Sequence, residues 1–104
     1  MKVALALRAL LAMTIAIPVS AQGQDLQNGF ALARQVCSEC HAVQRQEERS
    51  PNARAPTFQQ LAGEPGMTPT ALTVALTTPH AGMPMFRLTP DQRADVIAYI
   101  VSLR

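Results

Sequence analysis

From Thr89 to the end of the chain, apolar residues return every three or four positions, at Val96, Tyr99, Ile100 and Leu103, with Ala94, Ile97 and Val101 widening the stripe. This period predicts an amphipathic helix with Asp91, Asp95 and Ser102 on its wet side. Thr89 is its N-cap, Pro90 suits its first turn, and Gln92 stands where a capping-box side chain reaches back. A second helix is predicted from Asp25, a capping residue, with Leu26, Gly29, Ala33 and Val36 at helical spacing. Gly29 costs such a helix about 1 kcal/mol against Ala, so its presence points to close approach by another element, and Ala33 one turn on keeps the same face shallow. Residues 42–66 are rich in charge, Pro and Gly and read as loop, with a short helix around Phe58 to Ala62. Thr68-Pro69 opens a further helix through Ala71, Leu72, Ala75 and Leu76 that stops before Pro79. The following His-Ala-Gly-Met-Pro-Met-Phe, residues 80–86, is bounded by Pro79 and Thr89-Pro90 and reads as a constrained extended loop. No run alternates as a strand does and no repeat is visible, so the expected fold class is all-α.

The first 21 residues stand apart from this pattern. Lys2 and Arg8 make a basic start, Ala9 to Ile17 an apolar run, and Pro18 precedes Val19-Ser20-Ala21, a small-residue cleavage pattern. The segment reads as a cleaved secretory signal peptide, leaving residues 22–104 as one domain of 83 residues. A retained anchor competes for the same stretch, but Arg8 and Pro18 interrupt its apolar run. The signal peptide also carries the charge excess: residues 22–104 hold seven arginines, no lysine and seven acids. With no basic run and few aromatics, nucleic acid drops out as a partner. A domain this short, with Phe30, Phe58, Phe86 and Tyr99 as its aromatics, is near the size at which a core needs a staple such as a disulfide, a metal or a large cofactor.

Candidate chemistry centres on Cys37-Ser38-Glu39-Cys40-His41, a C-x-x-C-H motif of the kind that attaches c-type haem. Two thiols on one turn of backbone can each add to a vinyl group at the porphyrin edge, and the next residue supplies an imidazole nitrogen to the iron. Three other readings compete. A thioredoxin-like pair would follow a strand, and a helix precedes this one. Cys37, Cys40, His41 and His80 could be four zinc ligands, but adjacent Cys40 and His41 are awkward corners of one tetrahedron. An inert disulfide would close only a very small loop. If haem is bound, the candidates for the sixth ligand are Met67, His80, Met83 and Met85. Met83 is preferred, because Gly82-Met83-Pro84 lies in a loop pinned by Pro79, Pro84 and Pro90. Met85 is expected to pack beside the haem.

With these pieces placed, residues 22–104 resemble the small bacterial class I cytochrome c family over nearly their whole length. Asn-Gly-Phe-Ala-Leu-Ala-Arg-Gln-Val-Cys-Ser-Glu-Cys-His, residues 28–41, looks like the family's N-terminal helix entering its haem motif, with Gly29 where the N- and C-terminal helices cross. Residues 79–103 look like its axial-methionine loop and C-terminal helix, with Met83 matching the distal ligand and Tyr99 the aromatic residue of the crossing. Ala55-Pro56-Thr57-Phe58 resembles the turn whose proline carbonyl accepts a hydrogen bond from the proximal histidine, here His41. The resemblance implies about three main helices around one haem c, attached through Cys37 and Cys40 and ligated by His41 and Met83. It implies a periplasmic, monomeric, non-enzymatic electron carrier cycling Fe(III)/Fe(II). Its partners would be transient: a dehydrogenase or cytochrome donor and an oxidase or cytochrome acceptor, with no small-molecule substrate and no integral membrane segment in the mature form. One departure is the absence of lysines around the haem edge, for which Arg34, Arg45, Arg54 and Arg87 are partial substitutes. Ala81, Met83, Met85 and Phe86 would supply a mostly apolar contact patch. A dedicated cytochrome subunit of one periplasmic dehydrogenase is the nearest alternative, and a haem sensor or peroxidase with a displaceable Met83, using His80, a more distant one.

Overall fold

The computed structural model describes residues 13–17 and 25–104, so the expected signal peptide falls largely outside the described residues. Helix α1, Leu26–Leu32, runs on into a single π-helical turn, Ala33–Cys37; α2 is Phe58–Gly63, α3 is Pro69–Thr77 and α4 is Pro90–Ser102. Among the described residues there is no sheet, only an isolated antiparallel bridge between His80 and Met83. The domain is all-α, and its few helices form the class I cytochrome c-like arrangement expected above.

Local chemistry sets where each helix starts. The Asp25 carboxylate accepts from the backbone N–H groups of Gln27 and Asn28 at 2.9 and 3.0 Å. Thr57 with Gln60 and Thr89 with Gln92 each form a reciprocal capping box, and Thr68 caps α3 with Pro69 in its first turn. These side chains satisfy N–H groups that have no partner inside the helix. The end of α4 is held from a distance: the Arg45 guanidinium donates to the Ser102 and Leu103 carbonyls at 2.7 and 3.2 Å. Arg45 thus places its positive charge at the negative end of α4. Arg104 similarly donates to the Ala62 and Met67 carbonyls, tying it to the end of α2 and to the segment that leads into α3.

The core gathers Ala33, Val43, Phe58, Ala62, Leu72, Val96, Ile97, Ile100 and Leu103. Its framework is the crossing of α1 and α4 at Gly29 and Tyr99, where the predicted close approach is found. A Cβ on Gly29 would stand 2.6 Å from the Asp95 carbonyl carbon and 2.9 Å from the Tyr99 Cβ, and closer still to the Asp95 carbonyl oxygen. Tyr99 packs on Phe30 with ring centroids 5.2 Å apart, and its hydroxyl donates to the Val43 carbonyl at 2.5 Å.

Asp95 departs from the sequence expectation. Expected on the wet face of α4, it is buried at the crossing, where its carboxylate accepts from the Asp25 N–H at 2.7 Å. The period of α4 places Asp95 beside its apolar stripe, and the approach of α1 closes over it. Asp95→Ala strands that N–H and is expected to cost about 1–3 kcal/mol, with Asp95→Asn, which keeps an acceptor, costing less. Denaturant midpoints of the haem-loaded variants check both the loss and the ranking.

Candidate functional site

Two adjoining cavities, of about 410 and about 250 Å³, share Val36, Cys37, His41, Pro56, His80, Met83 and Phe86 as walls and so form one cleft. The outer part opens past Cys40, Asn52 and Arg54; the inner part runs between Leu32, Leu61, Met67, Leu76 and Leu88 to Val96 and Ile100. It is a deep, apolar slot with a polar mouth, of the size of a small-molecule site.

The floor of the slot is made by the turn that ends α1. Ser38 N–H donates five residues back to the Ala33 carbonyl at 3.0 Å, closing the π-helical turn, and the N–H groups of Cys40 and His41 both donate to the Cys37 carbonyl at 3.2 and 2.9 Å. This winding brings Cys37, Cys40 and His41 to the cleft together. A π-turn inserts one extra residue into the helical repeat and so redirects the chain beyond it, a feature with no sequence signature here. Both cysteines are free thiols, and burial pushes the Cys37 thiol up to about 11.

His41 is oriented by two contacts. Its Nδ1 lies 2.6 Å from the Pro56 carbonyl oxygen. A carbonyl only accepts, so the proton sits on Nδ1 and the Nε2 lone pair is left available to a metal. The ring also packs against Phe58, centroids 5.5 Å apart. Phe58 in turn lies 6.4 Å from Tyr99, linking the imidazole to the helix crossing. The sequence marks Phe58 as one of few aromatics; its place as the wall behind His41 needed the folded chain.

Across the cleft stands the segment between α3 and α4. Expected as an extended loop, it forms a tight turn, with Met83 N–H facing the His80 carbonyl at 3.4 Å and Gly82 at φ +81°. Of the four candidate sulfur and imidazole donors, His80 and Met83 line both parts of the cleft and Met67 lines the inner part. Met85 is half exposed and lines neither part, so it does not pack where the haem was expected to lie. Among the described residues no three His, Cys, Asp or Glu side chains gather as a metal cage.

A flat, largely apolar macrocycle fits these residues: the inner slot is hydrocarbon-lined, two thiols stand at its edge, and an imidazole with a free Nε2 faces it. The cytochrome c oxidase, cbb3-type, subunit III family matches residues 24–100. The chain belongs to this cytochrome c family. Consistent with that, it is 35% identical over 85 residues to cytochrome c-552 of Bradyrhizobium diazoefficiens, covering 82% of this chain and 81% of that one. No solved structure matches the chain. As a cytochrome, it is a haem-binding redox domain rather than an enzyme, and the Cys37/Cys40 spacing is that of covalent haem c attachment. Among the described residues no helix is long and apolar enough to cross a membrane.

Proposed function

We propose that this cytochrome is a periplasmic one-electron carrier in which Cys37 and Cys40 hold the haem, His41 is the proximal ligand and Met83 the distal one. The observation that carries the reading is the His41 ring, locked by the Pro56 carbonyl with its free nitrogen in the same cleft as the Met83 sulfur. When bound, the haem supplies a reversible Fe(III)/Fe(II) couple. The chain contributes the rest. The Pro56 carbonyl keeps the proton at Nδ1 of His41 and Phe58 stops the ring from turning. The hydrocarbon walls of the inner slot exclude water, which favours the less charged reduced state. A thioether as second ligand also raises the potential relative to a second imidazole.

Residues 1–21 would act as the signal peptide that takes the domain of residues 22–104 to the periplasm. Exchange with partners would use the cleft mouth, where Phe86 forms part of the wall and Met85 stands half exposed beside it. Small apolar contacts of this kind suit brief redox encounters with a dehydrogenase or cytochrome donor and an oxidase or cytochrome acceptor. A second reading, a dedicated subunit of one larger redox enzyme, is favoured by the family's description as an oxidase subunit. Native-mass analysis of the protein taken from its own membranes and periplasm separates the two, as a free monomer or as a fixed complex.

Ferric wild type is expected to show the weak long-wavelength iron–thioether band and Met83→Ala to lose it. A covalently bound haem without that band in wild type would overturn Met83 as ligand, and a chain that attaches no haem would overturn the whole reading. Resistance of the reduced wild type to carbon monoxide is expected of a carrier; rapid binding would favour a sensor or peroxidase.

A further inference from the structure

The chain has two histidines, and both line the same cleft. We propose that His80 is a second iron donor held in reserve beside Met83, able to take the distal position when the Met83 sulfur leaves it. This rests on the reading that Met83 is the resident distal ligand.

The geometry comes from the turn. His80-Ala81-Gly82-Met83 reverses the chain in four residues, with Gly82 third and at φ +81°, where a side chain is disfavoured. The first and last residues of such a turn face each other as a bridge pair, so their side chains leave on the same side. The result is a His80 Nε2 to Met83 Sδ separation of 3.2 Å, with both residues on the cleft wall. Pro79 and Pro84 flank the turn and restrict the backbone on either side. Exchange between the two donors therefore calls for side-chain rotation alone, with the turn kept.

The imidazole is also presented in a usable form. Its Nδ1 is 3.4 Å from the Thr78 carbonyl, a long contact with an oxygen that only accepts. A proton at Nδ1 serves that contact and leaves the Nε2 lone pair toward the sulfur; a proton at Nε2 donates to the sulfur and steadies the thioether. The same ring thus supports Met83 in one tautomer and replaces it in the other. In the exchange the iron–sulfur bond breaks and an iron–Nε2 bond forms, the Nδ1 proton stays on the ring, and no electron is transferred. Oxidation of the sulfur to sulfoxide by a peroxide, which makes it a different and more polar group, is one event that would release the position.

The test uses the ferric haem-loaded protein and reads spin state by electron paramagnetic resonance and optical spectra. Met83→Leu, which keeps the side-chain volume, is expected to lose the thioether band yet remain low-spin; adding His80→Phe is expected to shift it to high-spin. His80→Phe alone is expected to keep the band. Met83→Ala repeats the comparison with a smaller side chain, so that a packing fault in one variant does not decide the outcome. A high-spin ferric state in both Met83 single variants overturns the proposal, as does a low-spin state in the double variant that lacks both Met83 and His80. Absence of the band from wild type strikes at Met83 ligation itself, which separates failure of that reading from failure of this one; with it the reserve role of His80 falls as well.

Discussion

Gly29→Ala is expected to destabilise the haem-loaded protein by about 3 kcal/mol, although the same change on an exposed helix would be worth roughly 1 kcal/mol in the opposite direction. The sign reverses because the atoms in the way belong to backbone. The added Cβ would overlap the Asp95 carbonyl group, its carbon 2.6 Å away, and press on the Tyr99 Cβ at 2.9 Å. A side chain could rotate clear; a carbonyl inside α4 cannot move without shifting the helix. Separating α1 from α4 would also stretch the Asp25 to Asp95 hydrogen bond and loosen Tyr99 from Phe30. Urea unfolding of wild type and variant, followed through both haem absorbance and helix signal, measures the difference. Equal or greater stability in Gly29→Ala would mean that the helices cross less closely than described.

Cys37→Ala/Cys40→Ala, purified without haem, is expected to lose its fixed tertiary structure. The inner cleft is walled by Leu32, Leu61, Met67, Leu76 and Leu88, the same side chains that pack partly buried against the core. With the macrocycle covalently in place these residues are dry. Without it, they face a cavity of about 250 Å³ that either fills with water or collapses. Burial of each such side chain is worth about 1.5–3 kcal/mol, and a small domain has only about 5–15 kcal/mol in total, so losing several of these contacts consumes the margin. Near-ultraviolet circular dichroism and a thermal scan test this: the expected variant shows a weak aromatic signal and no cooperative transition. A sharp transition near the wild-type temperature would show that the helices hold each other without the cofactor.

Both expectations turn on relations that differ in how far they can be read from sequence. Gly29 is legible, because a helix-breaking residue kept at helical spacing points to a crossing even before the partner is known. Asp95 is not, because its hydrogen-bond partner is the Asp25 N–H, 70 residues away. Periodicity ranks positions around a helix, while burial at the edge of a stripe depends on the neighbour that covers it. Met85 escapes for a related reason: in a chain pinned by prolines the sequence offers two methionines, and the turn at Gly82 decides which faces inward.

What the sequence determined by itself is local. The cap residues Asp25, Thr57, Thr68 and Thr89, the apolar period of α4 and the C-x-x-C-H spacing each act within a few residues, through backbone groups that side chains next to them can reach. Tertiary structure decided everything that joins distant segments. It put Phe58 behind the imidazole, Arg45 on the end of α4, and the turn that carries His80 and Met83 on the same cleft as His41, while the Pro56 carbonyl reached His41 as the family resemblance implied. These contacts depend on direction as well as spacing, and direction is set only when the π-turn, the Gly82 turn and the crossing at Gly29 have all closed around one core.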